Sequence, residues 1–261
     1  MIRMQQIFTD DAYPQSGFVE EKPLNHSAPK PQGEQNKFPF GGLRGLSPAF
    51  GSWKQGSLKS NKINIYYMKS QPSIAVFASG NGSNAENIIR YFQEKNTARV
   101  ALVVASRSDA GVLARAKKLG VPTLVLQKEL FMQSNALLST LQSYEIDLIV
   151  LAGFLWLVPE YLVKAYPKAI VNIHPALLPQ YGGKGMYGAK VHQAVWEAKE
   201  AHTGITIHWV NEHYDEGEVI FQAAVQLLPE DSPEQIAQKV HALEHRYFPE
   251  VLARILEEKA L

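Results

Sequence analysis

Asn172 and His174, separated by one isoleucine, close the apolar run AIVNIH (169–174), and strand alternation puts their side chains on the same side. An amide and an imidazole converging at a strand end can hydrogen-bond an oxygen that gains negative charge during acyl transfer. The imidazole can also carry a proton. A carboxylate beside His174 would raise the imidazole pKa and hold it charged, and Asp215, in NEHYDEG (211–217), is the candidate for that place. Each residue also has a plainer use: a strand-end histidine can satisfy backbone groups, and an aspartate before Glu-Gly can form a turn. His202, His208 and His213 raise the question of zinc, but that trio has neither helical spacing nor a matching carboxylate set, so no metal is expected.

A second cluster, ASGNGSN (78–84), follows an apolar run and precedes a helical pattern. Glycines there let the backbone approach an anion, and the free N–H groups and dipole of a helix start favour phosphate. No Lys-Ser or Lys-Thr follows, so a nucleoside triphosphate loop is excluded. The Gly-x-Gly spacing also lacks the third glycine of a dinucleotide fingerprint. A tight turn that binds nothing remains the alternative. Ser79 and Ser83 lack the Gly-x-Ser-x-Gly setting of a hydrolase nucleophile.

These residues need a scaffold, and from Ser73 the chain alternates regularly. IAVFAS (74–79), VALVVAS (100–106), PTLVLQ (122–127), DLIVLAG (147–153) and AIVNIH read as strands. NAENIIRYFQEK (84–95) and DAGVLARAKKLG (109–120) read as helices, the second closed by Gly120. ALLSTLQSY (136–144) leads into the strand 147–153. Strands separated by helices imply right-handed βαβ units, so the fold class is α/β, with an open, mostly parallel sheet flanked by helices. The close differs: TGITIHWV (203–210) and EVIFQAAVQLL (218–228) flank NEHYDEG as an antiparallel hairpin. A long amphipathic helix follows, capped by Ser232 with Pro233 at its first position.

Composition bounds the rest. The 261 residues carry 26 Lys+Arg against 25 Asp+Glu and are 46% hydrophobic, enough to bury a substantial core and too balanced for general attraction to nucleic acid or an anionic membrane. With no cysteine, disulfides, thiolate metal sites and a cysteine nucleophile are excluded. No apolar stretch is long enough to span a bilayer. Residues 1–72 hold seven of the 15 prolines and no sustained period, and are expected to be a disordered extension or a misassigned start, with translation from Met68. The start breaks into Asp-Asp before an apolar run forms, which disfavours export and makes the cytoplasm the expected location. Residues 73–261 are expected to be the catalytic domain.

Taken in order, ASGNGSN, LAGF (151–154), NIHPALLP (172–179), HTGITIHWV (202–210) and YDEGEVIFQ (214–222) resemble the phosphoribosylglycinamide formyltransferases, folate-dependent enzymes of purine synthesis with a Rossmann-like formyltransferase fold. The resemblance runs from Ser73 to Leu256. It implies transfer of a formyl group from 10-formyltetrahydrofolate to the amine of glycinamide ribonucleotide, by direct attack through a tetrahedral intermediate. Gly82, Ser83 and Asn84 would hold the substrate's phosphate and Glu244 its ribose. Leu155, Trp156, Leu157 and Val158, with Asn172 and the loop around Tyr214, would receive the folate. Asn172, His174 and Asp215 would be catalytic. The implied partners are small molecules, with no nucleic acid and no membrane; the oligomeric state stays open.

Related alternatives are a formyltetrahydrofolate hydrolase, a tRNA formyltransferase of the same fold, or a non-catalytic nucleotide-binding module. Four features depart from the family pattern. Leu155-Trp156 stands where Met-Arg is usual, an arginine is missing between Leu126 and Tyr144, and His241 replaces a Gln or Lys toward the phosphate. The segment 180–188 is longer and glycine-rich, and reads as a mobile flap or a surface insertion.

Overall fold

The computed structural model describes residues 7–8 and 71–259. A two-residue strand, β1 (Ile7–Phe8), precedes β2 (Ser73–Ala78), whose six residues are all buried. That is what a strand covered by helices on both sides requires. Ile74, Val76 and Ala78 enter one apolar core, while Ala75 and Phe77 enter a second on the opposite face. Next come α1 (Ser83–Lys95), β3 (Arg99–Ala105), α2 (Gly111–Lys118), β4 (Thr123–Val125), α3 (Lys128–Gln133), α4 (Ala136–Ser143) and β5 (Leu148–Leu151). The chain continues through α5 (Glu160–Ala165), β6 (Ile170–His174), α6 (Ala189–Glu197), β7 (His202–Trp209), β8 (Val219–Gln226) and α7 (Pro233–Lys259). The sheet order is β1-β8-β7-β6-β5-β2-β3-β4. Strands β2 to β6 are mutually parallel, and β7 runs against both β6 and β8.

The expected α/β class and closing hairpin are present. Helices α3 and α6 are additions to the sequence reading, and α5 begins only after the irregular segment that follows LAGF. The expectation for residues 1–72 lies outside the described residues, except for Gln71, Pro72 and β1, which pairs parallel with β8. Among the described residues no helix is long and apolar enough to cross a membrane.

The order of strands decides where a ligand can go. The chain leaves β2 toward β3 and β4, then returns to build β5 and β6 on the other side. The loops after β2 and β5 therefore diverge and open a crevice at the strand carboxyl ends. Its rim is tied together locally. The Ser79 N–H donates to the Gly153 carbonyl at 3.0 Å, and the Leu155 N–H donates to Ser79 Oγ at 3.0 Å.

Helix α7 closes the first core and lies against α1 and α6. Its start is a reciprocal cap: Ser232 Oγ accepts from the Gln235 N–H at 3.3 Å, and Gln235 Oε1 accepts from the Ser232 N–H at 2.8 Å. Pro249, inside the helix, cannot donate to the His245 carbonyl. Asn87 Nδ2 takes that acceptor at 2.7 Å, which docks α1 onto the freed oxygen. Replacing Ser232 by Ala is expected to lower stability by about 1 kcal/mol. Urea unfolding followed by circular dichroism would measure this, and an unchanged midpoint would contradict the capping role.

Candidate active site

A cavity of about 680 Å³ occupies the crevice. Every site residue expected from the sequence lines it: Gly82, Ser83, Asn84 and Glu244 toward one end, Leu155, Trp156, Leu157 and Val158 toward the other, with Asn172, His174 and Asp215 among the lining residues as well.

At the first end, Gly82 caps α1 at φ 81°, and a Cβ there would lie 2.7 Å from Val112 Cα. Both the left-handed backbone and the close approach of α2 call for glycine. No side chain caps α1, so its first N–H groups are free to meet an anion. Glu244 reaches this place from α7 although it is only 5% exposed. Asn84 Nδ2 donates to its Oε2 at 2.9 Å, and His241 Nδ1 donates to the same oxygen at 2.7 Å. The Glu244 hydrogen bond raises the His241 pKa above its ordinary value, against a smaller opposing effect of burial. His192, from α6, is buried beside them, and its Nδ1 and Asn84 Oδ1 have no hydrogen-bond partner among the described residues.

The second end is apolar. Trp156 packs with Phe131 and Phe154 at ring-centroid distances of 5.7 and 5.9 Å. Leu155 stays largely exposed, and Val158 is buried. The Lys128 ammonium lies 6.0 Å from the Trp156 ring centre.

Between the ends, β6 and the loop after β7 bring the polar cluster together. His174 is 3% exposed, and its Nδ1 lies 3.4 Å from Asp215 Oδ2. Its Nε2 donates to the Tyr181 carbonyl at 2.8 Å. Asp215 also accepts from the Gly183 N–H at 2.9 Å and from Asn172 Nδ2 at 3.4 Å. His208, paired with Asn172 across β6 and β7, stands behind it. His208 Nδ1 donates to the Trp209 carbonyl at 2.9 Å; the neutral ring's Nε2 accepts from Asn172 Nδ2 at 3.0 Å, and the protonated ring's Nε2–H faces Asp215 Oδ1 at 3.6 Å. The neutral tautomer and the orientation of the Asn172 amide fix one another.

One expectation needs correction. Asp215 is in place, but it does not leave His174 with a raised pKa. Burial presses the imidazole below its ordinary value, and the Asp215 charge and the Tyr181 carbonyl recover only part of the loss. Desolvation outweighs a single carboxylate when the ring is this deeply enclosed. Asp215 itself is pushed upward by burial, but the hydrogen bond with His208, the charge of His174 and the Gly183 N–H together hold it below the usual carboxylate value.

The sequence reading missed His192, the main-chain groups of Tyr181 and Gly183, and the place of His208. Only the last had a readable signal. His208 shares strand parity with Gly204 and Thr206, and placing it opposite Asn172 requires the β6–β7 register.

Residues 72–252 match the formyl transferase family. The chain is similar to the chloroplastic phosphoribosylglycinamide formyltransferase of Arabidopsis thaliana, at 43% identity over 71% of this chain and 66% of that protein, so it spans about two thirds of that relative's length. It is similar to the phosphoribosylglycinamide formyltransferase of Bacillus subtilis, at 37% identity over 70% of this chain and 93% of the relative. Among solved structures, glycinamide ribonucleotide transformylase 1 from Symbiobacterium toebii superposes with a TM-score of 0.67 at 35% identity, over 76% of this chain and 94% of that one.

The His241–Glu244 pair has a pH signature. Its contribution to stability is complete below the ordinary histidine value of 6.5 and is lost as pH rises through the higher folded-state value. In an NMR titration His241 should titrate above 6.5 in the wild type, and Glu244→Gln should bring it below, because burial is then less opposed. An unchanged midpoint in that variant would exclude Glu244 as the cause.

Proposed function

The chain belongs to the formyl transferase family, and on that footing we propose that it transfers the formyl group of 10-formyltetrahydrofolate to the amine of glycinamide ribonucleotide, a step of purine biosynthesis. The observation that carries this reading is one cavity with two unlike ends, lined also by an Asn–His–Asp cluster whose histidine is buried. A phosphorylated acceptor suits the bare start of α1, where Gly82, Ser83 and Asn84 offer main-chain N–H groups. Glu244, already accepting from Asn84 and His241, has a second carboxylate oxygen for ribose hydroxyls. The donor suits the other end, where Leu155, Trp156, Leu157 and Val158 give a flat heterocycle apolar surface. The donor is a co-substrate that supplies the one-carbon unit, and the residues present fit it by shape and polarity.

The chemistry asked of the chain is modest. The neutral amine attacks the formyl carbon, a new C–N bond forms, and the bond from that carbon to the folate nitrogen breaks. The amine loses one proton and the folate nitrogen gains one, so no net proton is consumed. His174, with both ring nitrogens engaged by Asp215 and the Tyr181 carbonyl, acts through its charge to stabilise the oxygen that becomes negative. Because burial keeps its pKa low in the free enzyme, growth of that charge is what favours the imidazolium. Asp215 holds the ring on its Nδ1 side and stabilises the charge as it appears. Asn172, oriented by His208, completes the polar rim around the reacting carbon. The proton passes within this cluster or through a water it holds.

Replacing His174 by Ala or Asp215 by Asn is expected to lower kcat by roughly 10²–10⁴-fold, the span typical of a lost acid–base or oxyanion group, with KM for both substrates nearly unchanged. Tetrahydrofolate release, followed with and without glycinamide ribonucleotide, checks the reaction. Release that ignores the acceptor would mean hydrolysis, and no release at all would favour a binding module.

A further inference from the structure

Tyr181 and Glu200 touch no proposed substrate position, yet together they anchor a stretch of main chain that contacts both His174 and Asp215. The Tyr181 carbonyl accepts from His174 Nε2 at 2.8 Å, and two residues later the Gly183 N–H donates to Asp215 Oδ2 at 2.9 Å. Tyr181 takes up this position at φ 56°, a left-handed conformation that a residue with a Cβ adopts only when its surroundings hold it there. Its side chain supplies the hold. The hydroxyl donates to Glu200 Oε1 at 2.6 Å, in the turn between α6 and β7. Burial, and then Glu200, push the phenol up to about 12, so it remains a proton donor throughout the neutral range. Glu200 is itself fixed by its N–H, which donates to the Val195 carbonyl at the end of α6 at 3.3 Å.

We propose that Tyr181 and Glu200 are positioning residues for formyl transfer: their hydrogen bond fixes the main chain of residues 181–183, which in turn sets the orientation and proton affinity of His174 and the orientation of Asp215. The inference rests on the catalytic reading of those two residues. The segment 180–188, a flap or an insertion by sequence, is at its start a structural part of the catalytic cluster. The titratable groups that act on His174 are Asp215, His208 and Glu244, with His192 coupled to it from α6. Removing the Tyr181 hydroxyl alters none of them, so any change in His174 titration reports the main-chain contact.

The test uses the full chain and three variants, Tyr181→Phe, Glu200→Ala and Glu200→Gln. Steady-state kinetics with both substrates, NMR titration of ¹⁵N-labelled histidine and a thermal melt are recorded for each. Tyr181→Phe and Glu200→Ala should lower kcat at least about tenfold while each KM stays within about threefold, the pattern of a lost transition-state contact. The His174 midpoint should fall in both, because the Tyr181 carbonyl no longer supports the charged ring. Glu200→Gln still accepts the phenol hydrogen and should stay within about twofold of wild type on every readout. The proposal is overturned if kcat holds in the first two variants, if it drops while the His174 midpoint stays put, or if Glu200→Gln is as impaired as Glu200→Ala. Should Tyr181→Phe fail to fold, the Glu200 pair decides alone. If the wild type forms no formylated product, the functional reading falls, and the His174 titration still decides whether the Tyr181–Glu200 bond tunes the imidazole.

Discussion

The Asp215 carboxylate is the point on which the site turns. A buried carboxylate is expensive unless its oxygens are satisfied, and here four groups converge on them: His174, His208, the Asn172 amide and the Gly183 N–H. Their combined effect overcomes desolvation and keeps the group acidic. The four come from three places in the chain: Asn172 and His174 from β6, His208 from β7 and Gly183 from the segment before α6. The need to solvate one negative charge inside the protein therefore fixes where the strand, its antiparallel neighbour and the loop must sit. Gly217 serves the same constraint, since a Cβ there would collide with the Trp209 carbonyl, which also accepts from His208.

His174 lives in the field of that charge and also under the cost of burial, and burial wins in the free protein. In the proposed reaction this balance suits a group that gains positive character only as an oxyanion forms. A ring fully charged beforehand would spend its electrostatic stabilisation on Asp215. A ring whose charged form is disfavoured at rest can respond to charge that develops during reaction. The two histidines of the cluster take different partners: His208 sets the Asn172 amide, and His174 lies between Asp215 and the Tyr181 carbonyl.

The two ends of the cavity follow from the sheet. Because β2 lies between β3 and β5, the loops at its carboxyl edge part, and the bare start of α1 opens beside the irregular segment after β5. Ser79 joins the halves by accepting from the Leu155 N–H and from the Ser106 hydroxyl, the latter at 2.6 Å. The uncapped helix start and an apolar end can then share one enclosure with the polar cluster. Helix α7 adds Glu244 and His241, which meet Asn84 at the start of α1 from the far side of the chain.

Much of this was legible in the sequence because it depends on local chemistry. Apolar runs with strand lengths, helical periods ended by Gly120 or begun by Ser232-Pro233, and a glycine turn before a helix need only short-range sterics and hydrogen bonding to be recognised. The positions of Asn172 and His174 on one strand face needed only alternation. What the sequence could not decide were quantities that depend on enclosure and register. The protonation tendency of His174 depends on how deeply it is buried, which no neighbour in the chain reports. The role of His208 depends on which residue of β6 lies opposite it, and that of Tyr181 on a carbonyl oxygen, a group every residue has. Spacing and residue type determined which groups were available to do chemistry; only the packed structure decided which of them solvate the buried charge, because that depends on distances across strands and loops far apart in the chain.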